Sequence, residues 1–317
     1  MFVVRLPFLC LVSCLLFLPL DALWAGPIDQ AIKSVIVVVP DWPGGYRRQG
    51  NALEEPEGSA VAVLPGGYFV TNAHVLGRAT DVNIRLGDSR LRSAEIVGRD
   101  VRTDIALLRV DLSLSILELA QPPGLGARVC AIGNQFGLGV SVTCGVVSAV
   151  NRTNTGFNPI EDFIQTDAAV NPGASGGALV DERGRLVGLL SAIFTKQSDA
   201  NIGVNFATSS ALMMRVVEDL RDFGRVRTGR LGWRLKALTT SERKQWSGVR
   251  VKWLDPLGPA AVAGVRVGDI LISVDKRSIF QMSDASAAIY MRRPGEKVRI
   301  AFLRENRIIR MEAELTQ

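Results

Sequence analysis

His74 is the single histidine of this 317-residue chain. It stands in Thr71-Asn72-Ala73-His74-Val75, directly after the apolar stretch Tyr68-Phe69-Val70. Downstream come Thr103-Asp104-Ile105-Ala106-Leu107-Leu108 and then Asn171-Pro172-Gly173-Ala174-Ser175-Gly176-Gly177. A histidine, an aspartate and a glycine-flanked serine, in that order, are the parts of a charge-oriented nucleophile. A serine hydroxyl is a weak nucleophile at neutral pH and needs a base to take its proton. Imidazole titrates near neutrality, so it accepts that proton and later delivers it to a leaving amine. A buried carboxylate holds the ring in one tautomer and stabilises the imidazolium. Asp104 suits that role, because the apolar residues after it bury the segment and a buried charge needs a partner. The glycines around Ser175 let the chain turn tightly and aim backbone N–H groups at one point, where they stabilise an oxyanion.

Each residue has a plainer reading. A lone histidine is often a surface or satisfied core residue, Asp104 could merely start a strand, and glycines 173–177 could form an ordinary loop. The three together favour catalysis. Gly173-Ala174-Ser175-Gly176-Gly177 also satisfies the G-x-S-x-G elbow of α/β-hydrolases, but those enzymes place their histidine after the serine and none follows Ser175 here. The His, Asp, Ser order matches the chymotrypsin-like arrangement on two β-barrels.

The elements around these residues read as mainly β. Apolar or alternating runs at 35–39, 60–63, 68–71, 81–86, 94–97, 105–110, 128–132, 140–150 and 186–191 predict short strands with Gly and Pro turns, the pattern of a sandwich or barrels. Residues 41–58 are polar and rich in Gly and Pro, and read as a mobile surface loop. Ser209 or Ser210 caps a helix with Leu212, Val216, Val217 and Leu220 at helical spacing, closed by Gly224. Residues 225–230 form a polar linker, and 231–317 a separate small domain. Within it 249–254, 268–274, 297–303 and 308–315 read as strands, 257–264 as a short helix, and Ser283 as the cap of a helix to about Met291.

Composition narrows the class. Residues 1–25 read as an export signal: Arg5, an apolar run from Leu6 to Leu20, and Ala25 before the cleavage point. The run is short for a spanning helix, so a retained anchor is the alternative. Net charge is +6, with scattered basic residues and a modest cluster at Arg221, Arg225, Arg227 and Arg230. No aromatic-plus-basic face points to nucleic acid, and contact with an anionic membrane surface stays open. No cofactor motif is present, and one histidine with two mature cysteines cannot build the usual zinc sites. Those two, Cys130 and Cys144, face each other if a hairpin turns near Phe136 to Leu138. The reading adopted is two small buried thiols; a cross-strand disulfide, which an oxidising compartment permits, is the alternative.

The His74, Asp104 and Ser175 blocks, with Ala131-Ile132-Gly133-Asn134-Gln135-Phe136-Gly137-Leu138-Gly139, resemble the HtrA/Deg family of exported serine proteases. The tail, from Leu257-Gly258-Pro259-Ala260-Ala261 to Gly268-Asp269-Ile270-Leu271, is similar to a bacterial PDZ domain, present once. The resemblance implies a chymotrypsin-like double β-barrel at 26–224, a small α+β PDZ domain at 231–317, activity without ATP, a periplasmic location and trimer assembly. Carried over by position, His74 is the base, Asp104 its orienter and Ser175 the nucleophile, with the Gly173 and Ser175 N–H groups as oxyanion hole. Ala169 and Val170 would line the primary pocket, opposite Ser191, Ala192 and Ile193. Leu231, Gly232 and Trp233 stand at the carboxylate-binding loop of a PDZ groove for peptide C-termini, with Ala288 and Ile289 on the other wall. The chain departs from the family at Ala174, usually Asn, at Asn205, usually small, and at Arg230, where the loop usually starts with an aromatic. The function implied is an endopeptidase for unfolded or mislocalised proteins. A catalytically silent chaperone or stress sensor, favoured only by Ala174, and an esterase are the alternatives.

Overall fold

The computed structural model describes residues 26–42, 47–49, 52–54, 57–193 and 202–317. The export-signal reading of 1–25 lies outside them. A short helix, α1 (Pro27–Ile32), precedes the apolar strand β1 (Val35–Asp41). Strands β2 (Arg47–Gln49) and β3 (Ala52–Glu54) pair as a small hairpin. The segment read as a surface loop thus carries a two-stranded ribbon. Its strands are too short and too polar to show any alternation.

Next come β4 (Gly58–Leu64), β5 (Tyr68–Asn72), the one-turn helix α2 (Ala73–Leu76), β6 (Asp81–Arg85), β7 (Leu91–Asp100) and β8 (Ile105–Arg109). They close into a barrel in the order β1-β4-β5-β8-β7-β6. Ile36, Val38, Phe69, Ile84 and Leu108 fill it, each buried. A second barrel follows: β9 (Arg128–Gly133), β10 (Ser141–Arg152), β11 (Phe163–Thr166), β12 (Ala178–Asp181), β13 (Leu186–Ile193) and β14 (Asn205–Ser209), closed as β10-β11-β14-β13-β12-β9. Closure removes the exposed edges that short strands would otherwise offer.

Helix α3 (Ser210–Phe223) starts at the Ser209 hydroxyl, which accepts the Leu212 N–H, and ends at Gly224 in the left-handed region. Its stripe Leu212, Val216, Val217 and Leu220 is buried with Ile105 and Leu107 of one barrel and Ile132 and Leu189 of the other. Burying each such side chain contributes about 1.5–3 kcal/mol. This shared core fixes how the two barrels meet, and the seam between them holds the candidate site.

Cys130 and Cys144 are opposite one another in the β9–β10 register and are joined by a disulfide, with Cα atoms 4.0 Å apart. The free-thiol reading is therefore corrected: directly opposed residues on adjacent antiparallel strands are within bonding reach. The bond closes a loop across 14 positions, and a loop of that size is worth up to about 3 kcal/mol. Cys144→Ser should lower unfolding free energy by about 2–3 kcal/mol in denaturant titrations. Alkylation of unreduced, denatured wild type should label neither cysteine. Labelling of both would refute the bond.

The remaining chain forms β15 (Trp233–Ala237), β16 (Val249–Leu254), helix α4 (Pro259–Val262), β17 (Ile270–Val274), β18 (Arg277–Ser278), helix α5 (Met282–Tyr290), β19 (Lys297–Arg304) and β20 (Arg307–Glu314). The sheet runs β15-β16-β17-β19-β20, with β18 beside β17, so β15 is an edge strand. Ser283 does not cap α5. Gln281 is the N-cap, in a capping box with Asp284, whose Oδ2 accepts the N–H groups of Phe280 and Gln281 at 2.9 and 3.1 Å. The Ser283 hydroxyl is drawn instead to Thr153 of the second barrel, 3.0 Å away.

This domain is docked on the barrels through polar contacts. Thr153 Oγ1 donates to Asp284 Oδ1 at 2.5 Å, Arg277 to Asp162 at 2.8 Å, and Arg293 to Asp219 at 2.8 Å. The Tyr290 hydroxyl donates to Asp100 Oδ2 at 2.7 Å. Burial, with the Asp100 carboxylate as acceptor, pushes the Tyr290 phenol far above its ordinary range, so it stays a donor.

Candidate active site

Strand register brings the first two groups together. Asn72 at the end of β5 is partnered with Ile105 at the start of β8. The residue before Ile105 is therefore beside the residues after Asn72. Asp104 takes φ 59, the left-handed region, and its carbonyl accepts the Ala73 N–H at 3.1 Å. Aspartate tolerates that conformation better than most residues. Its carboxylate then faces α2: Oδ1 accepts the His74 backbone N–H at 2.8 Å and Oδ2 meets His74 Nδ1 at 2.6 Å.

A carboxylate can only accept, so Nδ1 carries the proton and Nε2 of the neutral ring is left as a base. The acid is sheltered and the base is open: their side chains are 13% and 51% exposed. Asn72, fully buried, donates to the Asp104 carbonyl at 3.0 Å and lies 3.4 Å from the Ser191 hydroxyl. Sequence reasoning passed over Asn72. Its signal was a buried-type amide inside the histidine block.

Ser175 is on the loop between β11 and β12, and that loop is sewn to the first barrel through Ser59 of β4. Ser59 N–H donates to the Ser175 carbonyl at 2.8 Å and Ser59 Oγ to the Gly173 carbonyl at 2.9 Å. Thr71, three residues before His74, donates its hydroxyl to the Ser59 carbonyl at 2.7 Å. Ser59 thus couples the serine loop to the strand that carries the histidine, and it too was missed.

Two glycines make this approach possible. A Cβ on Gly176, at φ +83, would lie 2.0 Å from the Ser59 carbonyl oxygen. One on Gly173, at φ +90, would lie 2.2 Å from the Asn134 carbonyl oxygen. Within the loop the N–H groups of Ala174, Gly176 and Gly177 donate to Asn171, Leu190 and Ala174 carbonyls. Among the described residues, those of Gly173 and Ser175 have no partner. Among the described residues no hydrogen bond joins the His74 ring to Ser175; the ring is bonded through Nδ1 to Asp104, which leaves Nε2 free. Such contacts commonly tighten only on substrate binding.

Ala174 is 1% exposed and packs in the second barrel's core with Val129, Val170 and Leu190. Its side chain is directed away from the loop's open face. Of the residues expected at the primary pocket, Ala169 is half-buried while Val170 and Ser191 are buried. Ser191 is tied by its hydroxyl to the Asp104 end of the site. The side chains of Ala192 and Ile193 lie outside the described residues. Asn205, buried on β14, donates to the Ala168 carbonyl at 2.8 Å and so braces the 168–170 segment.

The third domain has its own cleft. A cavity of 260 Å³ lies between β15, through Trp233 and Leu235, and α5, through Ala285, Ile289 and Tyr290. Trp233 both lines it and packs edge-on against Phe302, centroids 6.1 Å apart. Leu231 and Ala288 are buried in the domain core. Gly232 has φ 70, and its carbonyl accepts the Asp255 N–H.

Comparison with known proteins agrees with this architecture. Residues 58–189 match the model of a trypsin-like peptidase domain, and 250–304 that of a PDZ domain. The chain is 36% identical over 284 residues to the periplasmic serine endoprotease DegP of Salmonella typhimurium, covering 86% of this chain and 59% of that one. It is 33% identical over 268 residues to the periplasmic pH-dependent serine endoprotease DegQ of Escherichia coli, covering 81% of this chain and 59% of that one. The chain thus spans about three fifths of the length of these relatives, 59% in both cases. Among solved structures, an HtrA-type protease AlgW with tripeptide superposes with a TM-score of 0.71 at 35% identity, over 92% of this chain and 96% of that one. With two closed barrels, a PDZ domain and this likeness along nearly its whole described length, the chain belongs to the HtrA/Deg family of trypsin-like serine proteases.

Proposed function

We propose that the chain is an ATP-independent serine endopeptidase of the periplasm that degrades or processes unfolded or mislocalised proteins. The observation that carries this reading is the two-point hold of Asp104 on His74, set against a loop with two unpaired N–H groups. In it His74 is the general base, Asp104 its orienter and Ser175 the nucleophile. Ser175 Oγ attacks the scissile carbonyl carbon and its proton passes to His74 Nε2. The N–H groups of Gly173 and Ser175 stabilise the oxyanion. His74 then gives the proton to the leaving amine, and water repeats the cycle on the acyl-enzyme. Relatives named periplasmic support the location, as does a disulfide, which an oxidising compartment preserves.

The PDZ domain would capture peptide C-termini along β15 and regulate the protease. Assembly as a homotrimer and contact with anionic membrane surfaces through exposed Arg221, Arg225 and Arg230 complete the reading. The test is incubation of the protein with unfolded casein, with and without a peptide ending in an apolar residue. Release of fragments without ATP is expected, at a rate the peptide changes. No cleavage under either condition, together with no labelling by a fluorophosphonate, would leave a silent binding protein instead.

Cleavage should fall after small aliphatic residues such as Val or Ala. Ala169 and Val170 are small and apolar and carry no carboxylate to attract Lys or Arg. A small apolar pocket gains only about 1–3 kcal/mol per fitted methylene, so selectivity should be modest. Mass mapping of a casein digest checks this, and Lys and Arg dominating the cut sites would refute it.

A further inference from the structure

One residue of the first barrel reaches the cleft of the PDZ domain. Arg102 lines the cavity between β15 and α5, and its guanidinium carbon is 4.9 Å from the centroid of the Tyr290 ring. It also lines an adjoining cavity of 370 Å³ with Arg225, Arg227, Arg230 and Gln317, where the negative group is the Gln317 α-carboxylate and no acidic side chain contributes. Arg227 is stacked on Phe223, 3.6 Å from the ring centroid. Among the described residues, none of these four arginines has a carboxylate within salt-bridge distance. Arg250 and Arg304 of the same domain, by contrast, are paired with Glu242 and Asp269. A cluster of four arginines against one carboxylate, at one end of an apolar slot, is complementary to a ligand with an apolar side chain beside a negative group.

The topology says which end this is. β15 is the edge strand, so its outer backbone groups are free to pair with an added strand. A strand laid antiparallel to β15 ends where β15 begins, at Trp233. That end is reached by residues 228–232 and by the last turn of α5, where Arg102 covers Tyr290. The terminal carboxylate of the added peptide would therefore arrive among the arginines, and its last side chain between Trp233 and Ile289.

We propose that Arg102 is a ligand of that terminal carboxylate, so that the carboxylate site is complete only when the PDZ domain is docked on the barrels. The inference rests on the reading of the β15–α5 cleft as a peptide site. It adds a contact from the protease domain, two residues before Asp104, to a site otherwise built by the PDZ domain alone. A guanidinium suits the role, since it presents planar paired donors to a carboxylate while its face rests on an aromatic ring.

The test uses the full chain carrying Ser175→Ala, to prevent digestion, and a fluorescent peptide ending in Val with a free or an amidated C-terminus. Anisotropy titrations give both affinities. The free peptide should bind roughly tenfold or more tightly than the amidated one, the scale of a charge-assisted hydrogen bond. Arg102→Gln should remove most of that preference by weakening the free peptide alone, and Arg102→Lys should restore part of it. An undiminished preference in Arg102→Gln overturns the proposal while leaving the peptide site standing. Equal binding of both peptides by the parent chain, or none of either, overturns the proposal together with the reading beneath it.

Discussion

Ser175→Ala should reduce casein cleavage by several orders of magnitude while leaving the fold unchanged. The loop does not depend on the hydroxyl: it is held by the Ser59 bonds to the carbonyls of Ser175 and Gly173 and by the Gly176 N–H on Leu190. All three engage backbone groups of the loop, which alanine retains. What alanine removes is the atom that forms the acyl-enzyme. Residual catalysis would come from binding and the oxyanion donors, roughly 10³–10⁴-fold over water, against about 10⁶-fold more for an intact serine site. The measurements are initial rates on casein and the thermal unfolding midpoint. A purified variant that digests casein at the parent's rate would remove Ser175 from the mechanism. A collapsed midpoint would mean the hydroxyl had a packing role that none of its contacts suggests.

Much of this arrangement was legible from residue types because it is locally encoded. The strand before His74 and the strand after Asp104 are apolar runs, and once they pair, Asp104 must fall beside His74. The α3 stripe and its Ser209 cap were readable for the same reason, as a short-range periodicity between two stop signals. The β9–β10 register followed from placing the hairpin tip.

The parts that were not legible depend on distant partners. Ser59 looks like any strand serine until the second barrel supplies Gly173 and Ser175. Ser283 reads as a helix cap, but the docked barrel offers Thr153 to its hydroxyl, and the cap is Gln281 in a capping box with Asp284. Strands β11 and β12 span four residues each, too few to alternate, and β12 follows directly on the glycines of the serine loop. The cysteines were read as free thiols because opposed cysteines are compatible with thiols as well as a bond, and residue type alone does not choose.

Asp104→Asn should lower kcat on casein by about four orders of magnitude, the loss that follows when the triad imidazole is held in the wrong tautomer. The geometry gives the reason at atomic detail. Asp104 faces two N–H donors, the His74 backbone at Oδ1 and the ring at Oδ2. An asparagine has one oxygen and one NH₂ group, so it can satisfy only one of them as acceptor. The backbone N–H has no alternative state and claims the oxygen. The NH₂ then points at Nδ1, which must become the acceptor. That moves the ring proton to Nε2, the atom that has to take the proton from Ser175. The variant keeps its shape, its buried amide remains hydrogen-bonded, and only the direction of one proton is reversed. KM should change little, because no substrate contact is lost, so the decline should appear in kcat. Fluorophosphonate labelling of Ser175, which needs the same deprotonation, should slow in parallel. A kcat within tenfold of the parent's, with normal folding, would mean that the Asp104–His74 contact braces the barrel and that the base is oriented by something else.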